Sequence, residues 1–312
     1  MILKVATFNY QSGGNRSGHG FDMKGLQEAF ALLDRAPAVV LYCEAKGYRG
    51  QGQRGLFAAA EALSDVLRVP YIGLPGTLDR GPIPPAIFYR ADLLTVRGWP
   101  CPSDPDVFDD QRNVARFAVT ASSVMPDVRF EFLAWVAHFD PRSGQIRRQE
   151  AGLLDRYGTD PLPVIGGGDL NSSASGDHLP QRDWHAADWH AKTHKGRWTD
   201  DGTPEGRWVP DTDAVDHLIG RWDPARQRRV GGSGYHAVAE LAWREHPEQQ
   251  LLPTVNPKPG EGGGLLIDYL LANEAMRPYV IPASYKVHLP EGDRWPSDHR
   301  LVTADIDLPT VA

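Results

Sequence analysis

The chain has 312 residues, 41% of them hydrophobic and 23% charged, with 32 Gly, 26 Pro, 2 Cys and a net charge of −7. That is an ordinary globular balance, long enough for one large domain or two small ones around a sizeable core. The acidic total, with no Lys or Arg run beyond pairs such as Arg147-Arg148 and Arg228-Arg229, argues against a protein that grips a long polyanion by charge alone, although bound metal ions reverse the field locally; two cysteines exclude a disulfide framework.

The first apolar run, Ile2 to Phe8, reads as a buried strand and is too short for a signal peptide or a membrane span, so a soluble cytoplasmic protein is expected. A Gly-rich loop over 11–20 follows, then helical spacing over 22–35, a short apolar run from Ala38 to Cys43, and helical spacing again over 55–68. Ala86–Tyr89, Leu93–Val96, Val114–Thr120 and Val128–Ala137 read as strands. Residues 145–157 read as a helix, and Pro163-Val164-Ile165 as a strand running into three glycines. Residues 177–263 differ in character: they carry six of the nine tryptophans and the stretches GGSG and GGG, and read as an elaborate insertion within a single domain. Asp211 and Thr212 offer caps for a helix over Ala214–Trp222. Strand signals return at Leu265–Leu271 and Leu301–Ile306. Early helices and irregularly alternating strands favour a layered α/β sandwich over a doubly wound parallel sheet.

Polar residues cluster at the ends of the apolar runs. Asn9 follows KVATF, Glu44 follows VVLYC, His138 follows FLAWVA, Asp169 and Asn171 follow VIGGG, Asp268 interrupts LLIDYLL, and Asp298-His299 precede LVTADI. Each alone has a bland reading as a turn, a cap or a solvated end. Asp268 is harder to dismiss, because an acid inside an apolar run needs a partner. Together they supply what phosphate-ester hydrolysis requires. Glu44, Asp169 and Asp298 are hard-oxygen ligands for Mg²⁺ or Mn²⁺, two histidines and an amide can contact phosphate, and one acid can orient a histidine.

The ordered set TFN (7–9), YCEAKGY (42–48), AHFD (137–140), GGDLNSS (167–173), IDYLLAN (267–273) and SDHRLV (297–302) resembles the endonuclease/exonuclease/phosphatase superfamily across nearly the whole chain. The resemblance implies a four-layer α/β sandwich with two central, mostly antiparallel sheets flanked by helices. It also implies roles. Glu44 would bind metal with Asn9 beside it, and Asp298 would bind a second ion or order the first. Asp169 would orient or deprotonate the attacking water, and Asn171 would hold that water or a phosphate oxygen. His299, its ring held by Asp268, and His138 would face the phosphate. Arg112 resembles an arginine that precedes a central strand in nuclease members, with Arg116 the competing candidate. Two departures bear on substrate. GPIPPAIFYR (81–90) lacks the acid that some nucleases pair with the first histidine, leaving only Asp79 nearby, and the insertion has no assigned counterpart.

His190 and His194 are spaced for one helix face, but Ala191 stands where a zinc protease would carry Glu. Trp184, Trp189 and Trp198 read as the insertion's own small core, with stacking on bases or sugars the alternative. The expected function is divalent-metal-dependent hydrolysis of a phosphate ester, by a nuclease or a small-molecule phosphatase, with nucleic acid or nucleotide among the candidate substrates and no obligate protein partner. The alternative is a binding module that kept the fold and lost the chemistry; none of Glu44, Asp169, Asp268 or His299 is missing.

Overall fold

The computed structural model describes residues 1–16, 20–77, 83–99, 113–119, 130–200, 206–290 and 295–309. Asp79, Cys101 and Arg112 lie outside the described residues. The main strands are, in chain order, β1 (Ile2–Asn9), β2 (Val39–Cys43), β3 (Tyr71–Pro75), β4 (Ala86–Arg90), β5 (Leu94–Gly98), β6 (Val114–Val119), β7 (Glu131–His138), β8 (Val164–Asp169), β9 (Tyr235–Ala237), β10 (Asp268–Asn273), β11 (Val280–Val287) and β12 (Val302–Asp307). They form two six-stranded sheets, ordered β11-β12-β1-β2-β4-β3 and β9-β10-β8-β7-β6-β5.

Each sheet has one parallel pair at its centre, β1 with β2 and β7 with β8. The remaining pairs are antiparallel. This topology fixes where polar ends meet. The C-terminal ends of β1, β2, β7 and β8 and the N-terminal ends of β10 and β12 lie at one end of the sandwich.

The strands read as continuous apolar runs because both faces of each sheet are covered. Leu3, Val5, Val39, Leu41, Phe132, Ala134, Val136, Ile165 and Leu270 pack between the sheets. Alternate residues point outward. Ala6, Phe8, Val40 and Tyr42 meet helices α1 (Lys24–Phe30) and α2 (Arg54–Leu67). Leu133, Trp135, Val164 and Leu271 meet α3 (Gly144–Gly152), α4 (Asp155–Gly158) and α6 (Asp213–Ile219). The result is the expected helix–sheet–sheet–helix layering.

The three glycines of β8 are packing residues. A Cβ on Gly166 would lie 2.0 Å from the Trp135 ring, and one on Gly167 would lie 1.9 Å from the Tyr269 carbonyl oxygen.

Several sequence expectations need correction. The helix over 22–35 ends at Phe30, before Pro37 and the Ala38 amide that donates to the Lys4 carbonyl at 2.7 Å as the chain enters β2. The helix over 145–157 breaks into α3 and α4 after Gly152. The helix over 214–222 stops at Ile219, where Gly220 takes φ 90°, and Trp222 joins a two-stranded ribbon. Thr212 sits at the N-cap of α6 without a side-chain cap bond, and Asp211 instead pairs with Arg147 at 2.7 Å. Unforeseen β3 and β11 are the edge strands of their sheet; each carries a proline, tolerated at edges.

Within 177–263 lie α5 (Trp189–Lys195), α6, α7 (Val238–Glu245), strand β9 and two small ribbons. Parts of it are built into the sandwich: β9 extends the second sheet beside β10, and α7 packs on β10 and β11. The ribbon of Gly196–Thr199 with Arg207–Pro210 follows α5. Trp222, 7% exposed, packs with Trp243 and His178, whereas two of the tryptophans expected in a small core lie at the surface. Trp189 and Trp198 are 72% and 54% exposed, and both meet the Trp208 ring edge-on at 5.7 Å. Among the described residues no helix is long and apolar enough to cross a membrane.

Candidate active site

Side-chain alternation along the strands assembles the site. Asn9 shares the parity of Leu3 and Val5, His138 that of Ala134 and Val136, Asp169 that of Ile165, and Asp268 that of Leu270. All four therefore point into the space between the sheets, where the apolar core ends. Register then places Asp169 between His138 on β7 and Asp268 on β10 as direct cross-strand neighbours, while Asn9 pairs with Cys43 in the other sheet.

Asp169 is the hub. Its Oδ2 accepts from Asn9 Nδ2 at 3.0 Å and lies 3.6 Å from both His138 Nε2 and His299 Nε2. Its Oδ1 accepts from the Asn171 backbone amide at 2.9 Å. Burial alone would raise this carboxyl, but His299, His138 and Lys195 outweigh it and hold the group below the usual carboxylate range. Asp268 is fully buried, and both its oxygens lie 2.9–3.0 Å from His299 Nδ1. Burial pushes Asp268 up. It would push His299 down, but Asp268 and Asp169 on either side prevail and raise the imidazole to about 10. The shared proton thus resides on the ring at neutral pH. Backbone amides of Ile267 and Asp268 both donate to Thr254 Oγ1 at 3.0 Å, fixing the start of β10.

Glu44 follows β2 and Asn171 follows β8, and both adopt left-handed backbone angles, φ 64° and 52°. Non-glycine residues held this way concentrate where side chains must be aimed. Glu44 accepts from the Ser12 amide at 2.6 Å and from Asn9 Nδ2 at 3.3 Å. The other atom of that amide, Asn9 Oδ1, is buried and has no hydrogen-bond partner among the described residues. Asp298 accepts from Lys258 Nζ at 2.9 Å, and Ser297 Oγ donates to the Asn9 carbonyl at 2.7 Å, tying the SDH loop to β1. Arg116, the alternative phosphate-binding arginine, is half exposed and pairs with Glu131.

Two cations escaped the sequence reading. Lys195, the last residue of α5, donates to Asn171 Oδ1 and to the Pro141 carbonyl. Lys258 reaches Asp298. Neither follows an apolar run, and both sit in polar stretches that signal only a solvated surface. His190 and His194 do share a face of α5, with ring centroids 3.9 Å apart, and among the described residues they belong to no cluster of three metal-ligating side chains.

A cavity of about 710 Å³ opens beside the loop that follows Asn171. Its walls include Ser173, Ser175, Arg182, Trp184, Arg197 and Arg221.

No family model matches the sequence, and no curated protein matches it significantly. Solved structures do match. An endonuclease/exonuclease/phosphatase family protein from Bacteroides thetaiotaomicron superposes with a TM-score of 0.53 at 17% identity, over 98% of this chain and 95% of that one. D. rerio TDP2, complexed with a single-strand DNA product, gives 0.53 at 14% identity over 98% and 99%. A mannosyl-6-phosphatase from Bacteroides thetaiotaomicron gives 0.52 at 16% identity over 97% and 98%. Two mixed sheets flanked by helices, matched end to end by these structures, give this chain the endonuclease/exonuclease/phosphatase fold.

Proposed function

We propose that the protein is a divalent-metal-dependent phosphoesterase, hydrolysing a phosphate ester with water. The observation that carries this reading is the convergence of Asn9, His138 and His299 on one oxygen of an ionised, buried Asp169. A carboxylate kept charged at that depth, with a protonated imidazole beside it, suits activation of a water next to an anion.

The residues fit a hard cation. Glu44 offers carboxylate oxygen, and beside it Asn9 Oδ1 is a buried oxygen acceptor without a partner among the described residues, the donor type that Mg²⁺ or Mn²⁺ takes. Glu44 and Asn9 would hold the ion, with Asp298 adjoining once Lys258 yields. Asp169, Asp268 and His299 also offer ligand atoms within 4.8 Å of one another, but Nδ1 of a protonated His299 is engaged by Asp268, which disfavours that trio as the ligand set. When bound, the ion would neutralise phosphoryl oxygens.

The chain's own groups do the rest. Asp169 orients the attacking water and accepts its proton. His299, charged and fixed by Asp268, donates through Nε2 to a phosphoryl oxygen as negative charge builds, and His138 donates from the other side. Asn171 keeps Asp169 in place through its backbone amide.

The polar cavity supports a compact polar group as the non-reacting part of the substrate, in the 300–1,000 Å³ range of small-molecule sites. The exposed edge-to-face tryptophans support a second reading, a nucleic-acid end with unstacked bases. Among the described residues Cys43 is a free, buried thiol, in keeping with the cytoplasmic setting expected from the sequence. The test is a hydrolysis screen with Mg²⁺ and with Mn²⁺ over single- and double-stranded DNA, RNA, nucleotides, sugar phosphates and inositol phosphates. Release of product from one class and its loss on chelation is the expected result. No hydrolysis of any class would leave the binding-module reading in its place.

A further inference from the structure

We propose that Lys195, delivered by the segment between the GDLNSS and IDYLL motifs, contacts the phosphate of the substrate directly. The inference rests on the phosphoesterase reading for what the anion is, and on geometry for which residue meets it.

An ammonium group has three donors. Lys195 Nζ gives one to Asn171 Oδ1 and one to the Pro141 carbonyl, and no carboxylate of the described residues lies within ion-pair distance of it. Both oxygens are neutral. The ammonium group is therefore positioned by neutral acceptors without a direct ion pair, and one donor remains. A lysine that merely decorates a helix end would lie in solvent. This one is half-buried, and burial brings it down to about 8 despite the attraction of Asp169.

The carrier is rigid. Arg147, 1% exposed at its side chain, donates to the His194 carbonyl at 3.0 Å and to the Asp140 carbonyl at 3.1 Å, and pairs with Asp211 at 2.7 Å. The Asp211 amide donates to the Lys195 carbonyl at 3.0 Å, and Ser172 Oγ donates to the Asp211 carbonyl at 2.7 Å. The end of α5 is thus bolted both to α3 and to the loop that carries Asn171. Asn171 is held in turn, its Nδ2 donating to the Phe139 carbonyl at 2.9 Å. A cation fixed near the catalytic carboxylate, with one donor still open, suits a dianionic group entering the site. Two residues further on, Arg197 lines the neighbouring cavity, so the same segment flanks both the reacting phosphate and the space beside it.

The test compares wild type with Lys195→Met, Lys195→Arg and, as a control on the same helix, Lys192→Met. Two readouts are taken in Mg²⁺ buffer: inorganic phosphate binding by calorimetry, and kcat and KM on the best ester from the screen. Loss of one charged donor should weaken phosphate binding about 10–100-fold and lower kcat on the order of 10²–10³. Arginine should restore part of the binding, and Lys192→Met should match wild type. Circular dichroism and urea midpoints report whether each variant folds; Lys195→Arg keeps the comparison interpretable if the methionine variant does not. Equal phosphate affinity in wild type and folded Lys195 variants overturns the proposal while leaving the phosphoesterase reading intact. Phosphate binding that depends on Lys195 in a protein that hydrolyses nothing supports the anion site and removes the enzymatic reading. A wild type that binds no phosphate at millimolar concentration overturns the proposal outright.

Discussion

The two sheets and the segment 177–263 supply the groups of the site by opposite means. The sheets present Glu44, Asp169 and Asp268 at strand ends, set by register and alternation, together with His138 and His299. The segment presents Lys195 and Lys258, carried on a short helix and a loop and aimed at Asn171 and Asp298. A strand end is held by a ladder on each side, so its polar residue inherits the rigidity of the sheet. A helix end or loop must be fixed residue by residue, and here the buried Arg147 does that for α5. The acids of the site are thus set by strand pairing, whereas its two lysines, within 177–263, depend on local anchors.

Chelation sets the two halves apart most sharply. EDTA should abolish turnover and added Mg²⁺ should restore it, because the oxygen donors Glu44 and Asn9 belong to the sheets. Glu44→Ala should behave like chelated wild type in a coupled phosphate-release assay. Turnover that survives both treatments would remove the metal from the reading.

Next in size is the pair that straddles the two sheets. His299→Ala should lower kcat on the order of 10²–10³, and Asp268→Asn should also be severe. The double variant should be little worse than the worse single one, since the residues act as a unit. Losses that multiply in full would show two independent groups.

Arg147→Met probes the segment alone. Removing one partner of a buried ion pair costs about 3–5 kcal/mol, and here it also strands the His194 and Asp140 carbonyls. A lower urea midpoint and earlier proteolytic cleavage within 177–263 are expected. Cleavage that begins in the sheets instead would mean that the segment is not held by Arg147.

The smallest effect is on stability against pH and belongs to the sandwich. Burial, with Lys286 and Lys4 nearby, lowers His288 from 6.5 to about 4. The unfolded chain therefore binds this proton first, so the contribution of His288 is complete above pH 6.5 and is lost as pH falls from there toward 4. His288→Gln, which can keep a bond to Thr303 Oγ1, should flatten that part of the urea-midpoint profile. An unchanged slope would assign the acid loss elsewhere.

Much of the fold was legible in residues 2–9, 39–43, 86–90 and 131–138, because strands covered on both faces leave unbroken apolar runs. The acids and histidines were legible for the same reason: each interrupts, ends or precedes such a run. Tyr71–Pro75 and Val280–Val287 were not, since edge strands with prolines and polar residues blur the pattern. Trp189 and Trp198 were misread because aromatic content by itself does not distinguish a small core from an exposed ladder.

By itself, then, the sequence determined the layering and the chemical inventory of the strand ends, because burial periodicity is local and each run records it. The tertiary structure alone decided that one oxygen of Asp169 would face two histidines and an asparagine from three different strands or loops. It alone decided that Lys195 would reach Asn171 from a helix 24 residues further along the chain. Those meetings depend on which strands pair in parallel and on how a buried arginine anchors a helix end, and neither is written in the spacing of any one segment.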